Sequence, residues 1–193
     1  MIEVRLANFW HSGAQLVFTV PLPNSGPVFM KQSILPGERD TYAIVYVQSA
    51  KLVDNWRDGD RKHRTSLALP NTWVHDPKYA AAKGGFSRGA IDPVPIPDVG
   101  CRMEVATGES QRFFRSNPAE PAVKIPSYSP SGELGRTRWL LSMGCAAFPV
   151  RSHMRNGAYD LFAAFGVPGS RFLTIGELAD SLPTSDPDLL EDA

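Results

Sequence analysis

The chain has 193 residues, 42% of them hydrophobic, and a formal net charge of zero, which fits one domain able to bury a large core. No apolar run reaches membrane-spanning length, and the start Met1-Ile2-Glu3-Val4-Arg5 lacks the basic-then-apolar order of a signal peptide. Cys101 and Cys145 show no metal or redox spacing, so a cytoplasmic protein with two buried thiols is expected.

Charge is unevenly placed. All 20 Lys and Arg residues fall at or before Arg171, while Glu177, Asp180, Asp186, Asp188, Glu191 and Asp192 follow it. The body therefore carries a surplus of six positive charges above an acidic end. That end reads as a solubilising tail, with shielding of a nucleic-acid face as the alternative. Seventeen prolines and sixteen glycines imply long loops and short elements.

In chain order, residues 4–20 alternate, with Leu16, Phe18 and Val20 on one face, and read as strand. The prolines and Gly26 between residues 21 and 27 make a turn. Val28–Leu35 is a return strand ended by Pro36-Gly37. Ala43–Val47 has the composition of a central strand. Ser49–Trp56 reads as a short helix, with Leu52 and Trp56 on one face. Pro77–Lys83 is expected to be helical, interrupted by Gly84-Gly85. Val94-Pro95-Ile96-Pro97 suits an edge strand, because proline donates no ladder bond. Met103–Ala106 and Gln111–Arg115 are expected to form a hairpin. Leu134–Met143 is a helix, Ala147–Val150 a strand, and Tyr159–Phe165 a helix stopped by Gly166. Thr174 and Glu177 have capping-box spacing at the start of a last helix running to Leu182. The expected organisation is one domain over 1–182 and a disordered acidic tail over 183–193.

The richest stretch for chemistry is Gly132-Glu133-Leu134-Gly135-Arg136-Thr137-Arg138-Trp139-Leu140-Leu141-Ser142-Met143-Gly144. Its glycines loosen the backbone ahead of a helix, and Gly144 ends that helix. A helix start offers unpaired N–H groups and a positive dipole end, both suited to phosphate. Arg136 and Arg138 in the first turn oppose the dipole unless an anion answers them. A phosphate is one answer, gripped by Arg136 and the Thr137 hydroxyl. An internal carboxylate that merely orders the loop is the other. Glu133 suits metal binding or water activation, although a plain surface carboxylate is the commoner outcome.

The same stretch resembles the ParB/sulfiredoxin fold, in which a glycine-led turn ending in arginine precedes a glycine by eight residues, as Arg136 precedes Gly144. Within that fold, Arg136-Thr137-Arg138-Trp139-Leu140 is similar to the motif of plasmid fertility inhibition factors. The segments 42–47, 51–56 and 92–97 resemble the same branch, over roughly residues 40–166. Gly135 stands where that family usually has His or Arg. The resemblance implies an α+β, ParB/sulfiredoxin-like single domain with a mixed sheet, short flanking helices and an N-terminal β extension. It implies an inhibitor of conjugative, type IV secretion DNA transfer that binds and hydrolyses ATP and cleaves DNA with a divalent metal, magnesium by its chemistry. A non-catalytic inhibitor docked on the secretion or coupling machinery is the alternative. Either would be cytoplasmic or held at the inner face of the inner membrane.

Site residues follow from the motif and the resemblance. Glu133 and Arg136 are the catalytic candidates. Gly132, Gly135, Arg136, Thr137 and Arg138 are the nucleotide candidates, joined by Arg88 because its region lies near the motif turn in the related factors. No metal ligand set is legible among the four histidines. Arg57, Arg61, Lys62 and Arg64 form the densest basic cluster and are the candidates for DNA phosphates of the transferred strand or relaxosome. The interleaved Asp58 and Asp60 equally suit an ordinary solvated loop. Arg112-Phe113-Phe114-Arg115 mixes bases with aromatics, as single-strand stacking needs, though alternate Phe residues also suit a strand's core face.

Overall fold

A computed structural model of the chain describes residues 1–9, 13–59, 70–105, 124–130 and 134–183. The N-terminal extension is an antiparallel meander of β1 (Glu3–Phe9), β2 (Gly13–Leu22) and β3 (Ser25–Ser33). Residues 4–20 are therefore two strands, paired from Glu3↔Thr19 to Phe9↔Gly13. Next come β4 (Tyr42–Gln48), α1 (Ser49–Gly59) and α2 (Pro77–Phe86). The two-residue strand β5 (Val94–Pro95) joins the edge of β3 in parallel, giving the order β1-β2-β3-β5. Ile96 donates its N–H to the Lys31 carbonyl at 2.9 Å, so Pro95, which has no donor, sits safely on the edge.

The other strands and α-helices of the described residues are β6 (Val99–Val105), β7 (Lys124–Pro130), α3 (Leu134–Ser142), β8 (Ala147–His153), α4 (Ala158–Phe165), β9 (Leu173–Thr174) and α5 (Ile175–Asp180). β4 is central in a second sheet of order β8-β4-β9, and β6 pairs with β7. The fold is α+β. Parallel and antiparallel pairings are mixed in the first sheet, and short helices flank the strands. Phe18 and Met30 of one sheet, Ile44 and Phe148 of the other, and Leu52, Leu140, Leu161, Phe165 and Ile175 of the helices are fully buried in one continuous cluster. Burying those side chains is the main stabilising term.

Several expectations need correction. α2 runs through Gly84-Gly85 to Phe86, since Gly85 is buried where a Cβ would press on Val94 at 3.3 Å, and Phe86 is stacked on Trp139. Tertiary contact there outweighs glycine's poor helix propensity. β6 starts at Val99 and its partner is β7, from Val99↔Pro130 to Val105↔Lys124. The expected partner, Gln111–Arg115, lies outside the described residues. The prolines and serines of β7 give it no strand signature in the sequence. The last helix stops at Asp180, although its Thr174–Glu177 capping box is present as expected. The expected acidic tail lies outside the described residues from 184 onward. Cys101 and Cys145 are both buried thiols, and burial pushes the Cys145 thiol up to about 11.

Candidate functional site

The motif helix α3 lies against α2, and each motif side chain has a distinct fate. Gly135 is buried against the α2 backbone, where a Cβ would sit 2.4 Å from the Lys78 carbonyl oxygen. No side chain fits there, which is the physical reason this position departs from His or Arg. Thr137 is completely buried, and its hydroxyl oxygen makes no hydrogen bond to the described residues; the Tyr128 phenol of β7 is buried as well. Burial drives that phenol far above the usual tyrosine range. Arg138 is also buried, and its Nη1 donates to Asp76 Oδ2. The other Asp76 oxygen accepts the Lys78 N–H at 2.8 Å and caps α2. One carboxylate thus caps one helix and anchors the other. Trp139 stacks on Phe86 at 4.3 Å between ring centroids, and Tyr79 and Ser142 hydroxyls meet at 2.8 Å. α3 ends at Gly144, whose φ of 72° lets Cys145 N–H reach the Leu140 carbonyl and Gly144 N–H the Leu141 carbonyl.

Arg136 differs from its neighbours. It is partly exposed, and its Nη1 donates to the Pro95 carbonyl at 3.1 Å. In a parallel edge strand that carbonyl points away from β3, so Arg136 lies along the outer edge of β5. Arg88, in the turn after α2, is exposed and pairs with Asp92. Asp92 also accepts from Lys31 Nζ of β3 at 2.9 Å. The Lys31 contact, and then Arg88, hold the Asp92 carboxyl below its usual range. The structure therefore brings Arg136 and Lys31 to the one segment that Arg88 begins and Pro95 ends. Lys31 and Asp92 carry no site signal of their own in the sequence, and Asp76 stands out only beside His75, as a pair that suits a catalytic site or, more commonly, a polar loop. Only strand pairing puts Lys31 beside residue 95.

Gly132, Glu133, Arg61, Lys62 and Arg64 lie outside the described residues, as do residues 112–115, and Arg57 falls within α1. Among the described residues no three His, Cys, Asp or Glu side chains converge as a metal site, and no described helix is long and apolar enough to cross a membrane. A second polar cluster sits on the other sheet. Arg151 bonds Glu38 and Asp98, each at 3.0 Å, and lies over the Tyr42 ring at 4.6 Å. These pairings tie three chain segments together and read as structural.

A family model described as plasmid fertility inhibition factor matches residues 44–166, from within β4 to just past α4, including all of α3. Among solved structures, the chain is similar to the crystal structure of the oncogenic suppression activity protein, a plasmid fertility inhibition factor, in its gold(I) cyanide derivative. The TM-score is 0.66 at 22% identity, covering 92% of this chain and 81% of that one. That identity speaks for the fold alone. No curated protein matches the chain in sequence.

Proposed function

The chain belongs to the plasmid fertility inhibition factor family, and from that premise we propose that it blocks type IV secretion-dependent DNA transfer by hydrolysing ATP at the Arg136 turn and cleaving DNA. The observation that carries this reading is the position of Arg136. It stands partly exposed in the first turn of α3, with its guanidinium oriented by the Pro95 carbonyl, at the end of the segment that Arg88 begins.

In this reading the start of α3 and Arg136 grip the phosphates of ATP, and Arg88 adds a second charge. Glu133 draws a proton from the attacking water as it adds to the terminal phosphorus. ADP leaves and inorganic phosphate forms. Arg136 offsets the charge that grows in the transition state. Magnesium, when bound, would neutralise phosphate charge, though no three acidic, histidine or cysteine side chains converge to hold it among the described residues. The 57–64 segment contacts DNA phosphates without reading sequence. The place of action is the cytoplasmic side of the inner membrane, where the coupling machinery receives the transferred strand.

A second reading is favoured by one specific feature. Gly135, Thr137 and Arg138 are all turned to packing, as expected of a protein that docks on the coupling machinery without catalysis. Calorimetric titration with ATP and a phosphate-release assay separate the two. Under the ATPase reading, Arg136→Ala weakens ATP binding about ten- to a hundredfold, the worth of one charge-assisted contact. Arg136→Lys recovers only part, and Glu133→Gln keeps binding while losing turnover. Highly purified wild-type protein that is inert towards ATP and DNA, yet still blocks transfer, would establish the docking reading instead.

A further inference from the structure

Three cations from distant parts of the chain surround one short segment: Lys31 from β3, Arg88 from the turn after α2, and Arg136 from α3. Asp92 spans two of them, one carboxylate oxygen on Lys31 Nζ and the other on Arg88 Nη1. This bridging is what a phosphate group would do between the same two cations. Lys31 is aligned with Pro95 across the β3–β5 pairing, and Pro95 carries the carbonyl that orients Arg136. Asp92 lies on the turn between α2 and β5, directly before Pro93. Neither of its pairs is buried: side-chain exposure is 25% for Lys31, 42% for Asp92 and 59% for Arg88. Exposed pairs of this kind are worth little and exchange readily.

We propose that Asp92 is an internal stand-in for phosphate, and that Lys31 and Arg88 take the distal phosphates of a nucleoside triphosphate when Asp92 yields. This rests on the ATP-binding reading of Arg136 and deepens it. The N-terminal sheet supplies a wall of the nucleotide site, with a lysine that lies outside the family match at residues 44–166. Asp92 sets the affinity by competing with ligand for the two cations.

The test is calorimetric titration of the full chain with ATP and with inorganic tripolyphosphate at fixed ionic strength. The variants are Asp92→Asn, Lys31→Ala, the double variant and Arg136→Ala, each checked for melting temperature. Asp92→Asn should tighten both ligands about three- to tenfold, the worth of relieving one or two exposed charge contacts. Lys31→Ala should weaken binding and erase the gain in the double variant. In wild-type protein, ATP should protect Lys31, but not the exposed Lys51, from amine acetylation read by mass spectrometry. That readout needs no variant to fold. Unchanged or weaker binding in Asp92→Asn, or equal labelling of Lys31 with and without ATP, overturns the proposal. If Arg136→Ala binds as wild type while Asp92→Asn still tightens tripolyphosphate, the Lys31–Arg88 site stands and the Arg136 reading falls. If neither wild type nor Asp92→Asn binds either ligand, both fall.

Discussion

Replacing Gly135 by Ala tests whether the motif is held in place by the close approach of α2 and α3. An alanine at an ordinary helical position improves stability by about 1 kcal/mol over glycine. Here the added Cβ would meet the Lys78 carbonyl oxygen at 2.4 Å, its carbonyl carbon at 2.7 Å and its Cβ at 3.0 Å. Two of those atoms are backbone, so no rotamer change relieves the clash, and the helices must separate. Overpacking of this kind costs about 1–3 kcal/mol, and a contact this short belongs at the upper end. The net loss is about 2 kcal/mol. For a chain of this size that lowers the melting temperature by about 4–8 °C. Separation also strains the Phe86–Trp139 stack and moves Arg136 relative to Pro95, so ATP affinity should fall in the same variant. Thermal unfolding followed by circular dichroism, with urea titration alongside, measures the loss. A melting temperature equal to or above wild type would refute the reasoning, because it would mean that α2 and α3 do not meet at Lys78.

Arg138→Ala should destabilise by about 1.5–3 kcal/mol, because it removes a charge-assisted contact made by a buried guanidinium, while Asp76 keeps the Lys78 N–H and part of its exposure. A double-mutant cycle with Asp76→Ala in urea titrations should return a coupling well above that of an exposed pair, and additive losses would contradict it. Cys145, with its thiol raised to about 11 by burial, should resist iodoacetamide in folded protein at pH 8 and react on unfolding; fast labelling of the native state would contradict its burial. Asp92 has a depressed carboxyl, so the contribution of its pairings is complete above the usual aspartate range and fades as pH falls through its lowered value; Asp92→Asn should flatten that part of the acid limb in pH-dependent unfolding. Replacing Arg61, Lys62 and Arg64 by Ala should weaken DNA binding on any sequence and reduce the log–log salt slope by up to about three, while an unchanged slope would leave the cluster a solvated loop.

Local signals determined much of this protein before tertiary structure was considered. β-branched composition marked β4. The glycine stop marked the end of α3, because φ near 72° at Gly144 suits almost only glycine. Spacing alone marked the Thr174–Glu177 capping box, since both of its bonds close within four residues. The motif residues were legible as a group, and so was the choice facing its arginines, a phosphate or an internal carboxylate. Which arginine takes which partner was decided only by the packing of α3 on α2, which turns Arg138 inward to Asp76, 62 residues away, and leaves Arg136 at the edge of β5. The same holds for β7, whose proline-rich sequence forms a strand only because β6 lies opposite, and for α2, which crosses two glycines because Val94 and Trp139 pack against it. Lys31 is the extreme case. Nothing near it in sequence suggests a phosphate, and its place beside Asp92 and Pro95 comes from a two-residue parallel pairing that no periodicity can announce. Side-chain period, caps and turns report interactions within a few residues, whereas the direction in which a charged side chain faces depends on which distant backbone lies opposite it.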